Sequence, residues 1–386
     1  MVRILLIILF AFLILVVFIP LLLSGVGVDI TRGGDGGAGE AFVLRRSGDN
    51  GENWGMPTFV RERRDPMPRE IFDIAFHPRD QQVLFAGTKS AGLWKSDDAG
   101  ESWRPVRDRA GTLVPTSDVY RVVISRDRPE VMYLAIFQGN RGRVLKTEDG
   151  GSTFRQIYFV GQERIGVFDL YTPPAEPDKV LAASGEGRLL LSGDGGKRWR
   201  IAKTFRDPVA LLAMHPTFHD EGYLLTSRGE LFKTFDGGEN WASQGIAGRR
   251  AARGTGRTIP HPYTRYSLTL FRFSSPRTLS PVLAMDPYNP SRLYRTGVSG
   301  VEVSTGGSAW EELASFIDGK GVPVGGVAVH PVEAQTLFVT AGPALYTSTD
   351  RGVNWQIVPF PSRNLLRKIF INPRRTEMMF LTTARL

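Results

Sequence analysis

The feature that most constrains the fold of this chain is a short motif, Ser/Thr-x-Asp-x-Gly-x-x-Trp/Phe, which recurs along most of its 386 residues. Self-similarity of this kind indicates a repeat architecture in which each unit is buried by its neighbours. Six of the seven tryptophans close a copy of the motif. The motif aspartates are Asp49, Asp98, Asp149, Asp194, Asp236 and Asp350, and the motif tryptophans are Trp54, Trp103, Trp199, Trp241, Trp310 and Trp355. The copy that ends at Trp310 carries Thr305 in place of aspartate.

The residues of the motif are those of a tight hairpin turn. A short Asp side chain accepts hydrogen bonds from nearby backbone N–H groups, and glycine supplies a positive φ. Alternating apolar residues and further turn signals upstream of each copy predict four strands per repeat. The first strands are predicted to begin near Ile71, Val119, Val167, Val209, Val282, Val324 and Leu366. The last repeat lacks a motif and the first motif lacks inner strands, so we expect two strands from each terminus to complete one sheet and close a ring.

This pattern, most complete in GLWKSDDAGESW at 92–103, resembles the repeats of Asp-box (BNR-repeat) β-propellers, in particular the sortilin-type and photosystem II assembly-factor-type propellers. The resemblance covers about residues 41–386 and implies an all-β, seven-bladed β-propeller. It also implies that the motif aspartates lie at the blade periphery, away from the binding face, so we interpret them as structural. His77, His215 and His330 share one turn position, which favours a turn over a metal site, and we predict neither metal nor cofactor.

The N-terminal segment has a different composition from the repeats. Residues 4–23 are twenty residues without a charge, which is long enough to cross a bilayer as a helix. We therefore expect an uncleaved transmembrane anchor within residues 1–23, with the propeller on the extracytoplasmic side because the preceding tail is very short. Residues 24–40 are rich in glycine and predict a flexible linker to the propeller at 41–386.

The connection between Trp241 and Asp286 is some twenty residues longer than the repeat requires, and loops of such length are often functional. It combines arginines and tyrosines without an acidic residue, a mixture that suits carboxylate, phosphate or aromatic recognition. The candidate binding residues are Arg249, Arg250, Arg253, Arg257, Arg265, Arg272, Arg277, Tyr263 and Tyr266. The net charge of +9 also favours an acidic partner, and the absence of cysteine excludes disulfides and thiolate chemistry.

Two classes of function are compatible with these features. We predict a membrane-tethered, non-enzymatic propeller that binds a protein or peptide through a basic face, as an assembly factor or sorting receptor does, with nucleic acid a poor candidate. The alternative is a carbohydrate-active hydrolase or glycan-binding propeller of the sialidase or xyloglucanase type. That alternative requires carboxylates and aromatic side chains at the channel mouth. The chain lacks the Phe/Tyr-Arg-Ile-Pro motif of sialidases, and xyloglucanases pair two propellers where this chain has length for one.

Overall fold

The computed structural model describes residues 44–55, 58–61, 67, 70–174, 176–246, 282–296, 300–315, 324–342, 344–358, 360 and 365–384. All of them belong to the compact unit Phe42–Leu386. The predicted anchor at 4–23 and the linker at 24–40 lie outside these residues. No helix within the described ranges is long and apolar enough to cross a bilayer.

The described strands form seven mainly antiparallel sheets, which are the blades of a seven-bladed β-propeller. The prediction of an all-β, seven-bladed propeller is confirmed.

Two strands precede the first complete blade: β1 (Leu44–Ser47) and β2 (Phe59–Val60). Blade 1 contains β3 (Ile71–Phe76), β4 (Leu84–Thr88), β5 (Leu93–Ser96) and β6 (Ser102–Pro105); blade 2 contains β7 (Asp118–Ile124), β8 (Met132–Gln138), β9 (Arg141–Thr147) and β10 (Arg155–Phe159); blade 3 contains β11 (Val167–Tyr171), β12 (Val180–Ser184), β13 (Arg188–Ser192) and β14 (Arg200–Thr204). Blade 4 contains β15 (Val209–Met214), β16 (Gly222–Thr226), β17 (Glu230–Thr234) and β18 (Ala242–Ile246); blade 5 contains β19 (Leu283–Asp286), β20 (Asn289–Thr296), β21 (Gly300–Thr305) and β22 (Glu311–Ser315); blade 6 contains β23 (Val324–Val329), β24 (Leu337–Ala341), β25 (Ala344–Ser348) and β26 (Gln356–Val358); and blade 7 contains β27 (Leu365–Ile371) and β28 (Met379–Ala384).

The two ends of the repeat array meet in blade 7. Strand β1 pairs antiparallel with β28, with Leu44 opposite Thr382. Among the described residues after the first motif, Gly55 and Thr58 donate their backbone N–H groups to β1. Strand β2 then pairs in parallel with β6 of blade 1. The described N-terminal residues therefore supply one regular strand to blade 7 instead of two.

Each of the six motifs that contain the aspartate forms a turn in which this residue organises the backbone. In blade 1 the Ser96 hydroxyl donates to Asp98 Oδ1 over 2.7 Å, and the N–H groups of Gly100 and Ser102 bind Ser96 Oγ and Asp98 Oδ1 at 2.8 and 2.9 Å. Burial tends to raise the pKa of Asp98, but hydrogen bonds from Ser102, Ser96 and Arg61 outweigh it and lower the pKa to about 2. The same arrangement surrounds Asp49, Asp149, Asp194, Asp236 and Asp350.

The last glycine of each motif packs the blade against its predecessor. Gly100 has a φ of +85°, and a Cβ there would overlap the ring of Phe380 in blade 7. Gly307 likewise has a φ of +87°, and its Cβ would lie 2.5 Å from a methyl carbon of Leu231 in blade 4. The indole N–H of Trp103 donates to the Gly100 carbonyl over 3.2 Å. Glycine is thus required here both for backbone conformation and for the close approach of two blades.

The turns between the first and second strands of the blades are also capped by a side chain. His215 Nδ1 accepts the N–H groups of Thr217 and Phe218 at 3.1 and 2.9 Å, and its Nε2 lies 2.8 Å from the Asp286 carbonyl of blade 5. His77 and His330 cap their turns in the same way, while Asn372 Oδ1 serves blade 7. Burial lowers the pKa of the three histidines.

We predict that Gly100→Ala destabilises the propeller much more than Gly150→Ala. Both positions have positive φ, which costs about 1–2 kcal/mol for alanine. Only at Gly100 does the added methyl meet a neighbouring blade, which should add about 1–3 kcal/mol. Urea unfolding of both variants measures the difference. Ala99, which occupies the position equivalent to Gly150 with a φ of 57°, supports the choice of control. Equal losses of unfolding free energy in the two variants would show that the close approach of Gly100 to Phe380 is unimportant for stability.

We predict that the histidine caps make the propeller less stable as the pH falls from about 7 to 5. The pKa of His215 is lower in the folded protein than its usual 6.5, so the unfolded chain takes up the proton first and unfolding becomes easier. His215→Asn keeps the acceptor for the turn, as Asn372 does, and removes one titrating group. Melting temperatures measured across this range should therefore fall less for the variant. An identical fall in melting temperature for the variant and the unaltered protein would contradict a role of His215 in this pH dependence.

Candidate functional site

Four charged side chains occupy the same position on the first strands of consecutive blades. They are Lys368 in blade 7, Asp73 in blade 1, Arg121 in blade 2 and Asp169 in blade 3. Arg121 Nη1 lies 3.2 Å from Asp73 Oδ1, and its Nε lies 3.3 Å from Asp169 Oδ1. Lys368 Nζ donates to the Phe72 carbonyl over 2.6 Å. We call these four residues the inner charge cluster.

The two carboxylates of the inner charge cluster also bind backbone groups of the next blade. Asp73 Oδ2 accepts the N–H of Val122 at 2.9 Å, and Asp169 Oδ2 accepts the N–H of Leu212 at 3.0 Å. Because both carboxylates contact the small, planar guanidinium of Arg121, their nearest oxygens lie no more than about 9 Å apart, below the upper limit of roughly 9.5 Å for the carboxyl pairs of glycoside hydrolases. Each carboxylate is nevertheless bound both by Arg121 and by a backbone N–H group, so the cluster holds adjacent blades together.

Burial shifts two pKa values within the inner charge cluster. It raises the pKa of Asp169, against the opposing effect of Arg121. It lowers the pKa of Lys368, against the effects of Asp73 and Asp169. The side chains of Asp73 and Asp169 are only 6% and 13% exposed, whereas that of Arg121 is 42% exposed. Arg121 is therefore the member of the cluster with most access to solvent.

Aromatic side chains pack beside the inner charge cluster. The ring of Tyr120 lies 5.1 Å from that of Phe72 and 5.4 Å from that of Phe168, measured between centroids. Phe137 completes the group, and all four are buried. The described structure thus brings together the carboxylates and aromatics that the carbohydrate alternative requires, but these rings fill the core and present no surface to a ligand.

Sequence reasoning did not single out the inner charge cluster. The signal was present as a charged residue within an otherwise apolar first strand in four of the seven repeats. The equivalent residues of the other three blades are Leu211, Ala284 and Gly326. A contact between these charges requires knowledge of which repeats lie side by side around the ring, which the closure in blade 7 decides.

A second polar site lies between blades 3 and 4. It is a cavity of about 330 Å³ whose lining includes Glu176, Asp178, Lys179, Arg200, Glu239 and Leu191. Lys179 Nζ lies 3.6 Å from Glu176 Oε1 and 3.8 Å from Glu239 Oε1, and Arg200 also pairs with Glu239. Arg128 pairs with Asp178 at 2.6 Å. The three acidic residues of the lining are thus paired with three basic residues. The cavity offers closely spaced hydrogen-bond donors and acceptors, and its volume suits a small ligand.

The basic loop predicted from sequence cannot be assigned to either site. Its nine candidate residues lie within 247–281, which are outside the described residues, so their role stays a prediction. The motif aspartates and tryptophans lie in the turns already described, and no group of three or more His, Asp or Glu in the described ranges could hold a metal ion.

Comparison with known proteins finds similarity to xyloglucan-degrading enzymes and to other proteins, among them YCF48. No family model matches the chain. It is 24% identical over 350 residues to the oligoxyloglucan-reducing end-specific xyloglucanase of Emericella nidulans, covering 75% of this chain and 40% of that protein. The GH74 xyloglucanase of Xanthomonas campestris superimposes with a TM-score of 0.60 at 17% identity, over 82% of this chain and 51% of that one. A structure of YCF48 bound to D1 peptide superimposes with a TM-score of 0.58 at 16% identity, over 82% of this chain and 93% of that one.

These similarities correct the functional prediction. The prediction of a non-enzymatic, partner-binding propeller is wrong in its main statement, because the relatives found by sequence are xyloglucanases and support the carbohydrate alternative better. The prediction failed because a basic loop and a repeat fold are common to propellers of many functions. Of the structures named above, the YCF48 structure is the one that contains a bound peptide. The chain spans less than half the length of the curated relatives it matches.

We predict that Arg121→Met destabilises the propeller by about 1–3 kcal/mol, because it leaves two poorly exposed carboxylates without their shared cation. The loss should shrink as the pH falls toward 5, because burial raises the pKa of Asp169 and protonation removes the charge of that carboxylate. Chemical denaturation at pH 7.5 and pH 5 measures both effects. Adding Asp73→Asn and Asp169→Asn to the variant should restore part of the stability. A loss that is independent of pH would contradict an electrostatic role of Arg121 in holding the blades together.

Proposed function

We propose that this chain is a glycan-binding propeller of the xyloglucanase type and that its ligand is a β-linked glucan such as xyloglucan. The observation that carries this proposal is the cavity between blades 3 and 4, in which Glu239 forms ion pairs with both Lys179 and Arg200. A sugar ring carries hydroxyl groups that both donate and accept, and a cavity with balanced charges and mixed donors and acceptors matches that chemistry.

The geometry supports binding more strongly than hydrolysis by this chain alone. Glycoside hydrolysis uses one carboxyl group that donates a proton and a second that acts as base or nucleophile. Asp73 and Asp169 have a compatible separation, but both are engaged by Arg121 and by backbone N–H groups. The alignment also covers only 40% of the Emericella nidulans enzyme. Cleavage of a glucan by the purified chain is therefore the alternative outcome of the test.

Three finer predictions belong to the same proposal. The repeats are of the Asp-box (BNR) type, which the turn geometry around Asp98 and its equivalents supports. Residues 4–23 anchor the chain in a membrane, and the propeller lies on the extracytoplasmic side. A polysaccharide ligand is consistent with that location.

We predict that the purified chain binds xyloglucan and that Glu239→Gln weakens this binding at least about tenfold, since the amide cannot hold Lys179 and Arg200 as the carboxylate does. Affinity electrophoresis in gels containing xyloglucan and calorimetry with xyloglucan oligosaccharides measure the affinity. Release of reducing sugar, assayed in parallel, detects hydrolysis.

Glu101→Gln is the matched control for this experiment. Glu101 occupies the same motif position in blade 1 as Glu239 does in blade 4, and it also pairs with an arginine, Arg46, at 3.0 Å. The control should bind xyloglucan as the unaltered protein does. Failure of the unaltered protein to bind any neutral glucan would overturn the proposed function.

A further inference from the structure

Two aromatic side chains are exposed on the surface formed by the turns that carry the motifs and by the turns capped by His215 and its equivalents, which we call the Asp-turn face. Phe218 in blade 4 is 45% exposed and Tyr288 in blade 5 is 60% exposed. Both rings are accessible to a ligand, and aromatic rings supply large apolar faces for recognition. Phe235 is also exposed, but the Lys233 ammonium lies 4.2 Å from its ring centroid and covers one face.

Hydrogen bonds hold the turns of Phe218 and Tyr288 side by side. The Thr217 hydroxyl donates to the Pro287 carbonyl over 3.0 Å, and His215 Nε2 donates to the Asp286 carbonyl over 2.8 Å. Thr217 immediately precedes Phe218, and Pro287 immediately precedes Tyr288. The two rings therefore project from adjacent, mutually bonded turns.

The same turn of blade 4 connects with the cavity between blades 3 and 4. The N–H of Gly237 donates to the Asp220 carbonyl over 2.9 Å, and Asp220 follows Phe218 by two residues. On its other side Gly237 approaches the cavity, since Lys179 Nζ lies 3.0 Å from where a Cβ on Gly237 would be. The cavity, the Phe218 turn and the Tyr288 turn thus form a continuous path across three blades.

The chemistry of this path differs from that of the equivalent turns elsewhere. At the positions two and three residues after the capping side chain, blades 1, 2 and 7 carry charged residues, whereas blades 4 and 5 carry only uncharged ones. The charged residues are Arg79, Asp80, Asp127, Arg128, Arg374 and Arg375. Two exposed aromatic rings near a cavity whose charged side chains are paired with one another favour a ligand with both hydroxyl groups and apolar faces. An extended chain of pyranose rings has these properties.

We propose that the cavity, Phe218 and Tyr288 form one track that binds several consecutive sugars of a neutral β-linked oligosaccharide, with one sugar in the cavity and the following sugars stacked on the two rings. This inference rests on the proposed function and extends it, because it specifies a long ligand and places it on the Asp-turn face. The sequence resemblance had implied that the motif turns face away from ligand. The π-faces of the rings stack on the C–H faces of pyranoses, and the cavity binds hydroxyl groups.

The test compares long and short ligands on variants of the track. Calorimetry with cellohexaose and a xyloglucan nonasaccharide, and with cellobiose as the short ligand, is performed on the unaltered chain, Phe218→Ala, Tyr288→Ala and the double variant. We expect the double variant to lose at least about tenfold in affinity for the long ligands and less than about twofold for cellobiose. Binding should be insensitive to salt, since no ion pair with the ligand is formed.

Phe159→Ala is the control, because Phe159 is 52% exposed on the outer strand β10 of blade 2, away from the track. Melting curves verify that each variant folds, and Tyr288→Ala alone provides the test if Phe218→Ala is unstable. Unchanged affinity of the double variant for the long ligands, with Glu239→Gln still impaired, would overturn the track and leave the proposed function intact. Absence of glycan binding by the unaltered chain would overturn both.

Discussion

Each blade of this propeller is held against its predecessor by the last glycine of its motif, and the rest of the structure depends on this contact. In all seven motif turns that glycine has a positive φ and a side chain of the preceding blade beside it. The glycines are Gly51, Gly100, Gly151, Gly196, Gly238, Gly307 and Gly352, and their neighbours in the preceding blades are Phe338, Phe380, Phe85, Ile157, Leu181, Leu231 and Leu313. The motif thus forms a hairpin turn and a packing surface at once, which explains why its spacing follows the blades.

On the first strands, polar contacts join several blades in addition to apolar packing. The inner charge cluster links blades 7, 1, 2 and 3, and Asp169 continues the link to blade 4 through the N–H of Leu212. Pairing each charge with an opposite charge or a backbone group offsets the cost of placing it in the interior. The cluster accordingly stabilises one side of the ring, while the cavity and the exposed aromatics lie in blades 3 to 5.

The inner charge cluster and the region of the cavity and exposed aromatics differ in the roles that their side chains can play. Residues committed to holding blades together cannot readily exchange protons or release their partners during a reaction. The rings of Phe218 and Tyr288 are exposed, whereas Lys179 and Arg200 of the cavity also pair with Glu239 across blades 3 and 4. The similarity to xyloglucanases is the basis for the proposed class of ligand, and Phe218 and Tyr288 are the exposed rings of the proposed track.

Much of the architecture could be predicted from the sequence because it rests on local chemistry. The seven first strands begin within one residue of the predicted positions, from Ile71 to Leu366, since apolar alternation and turn residues act over short distances. The sequence predicted a second N-terminal strand in blade 7, but β2 pairs with β6 of blade 1 instead. This pairing depends on a contact between distant segments of the chain. The functional prediction relied on loop composition, which does not specify a ligand.

The sequence by itself determined the number of blades, the turn chemistry of the motifs and the need for glycine at their ends, all of which follow from residue types at short spacing. Only the tertiary structure decided which repeats become neighbours. The contact of Lys368 with the Phe72 carbonyl joins residues 296 positions apart, and the cavity between blades 3 and 4 takes its lining from three separate turns. Such sites arise because ring closure brings distant side chains within a few ångströms, an outcome that no local pattern encodes.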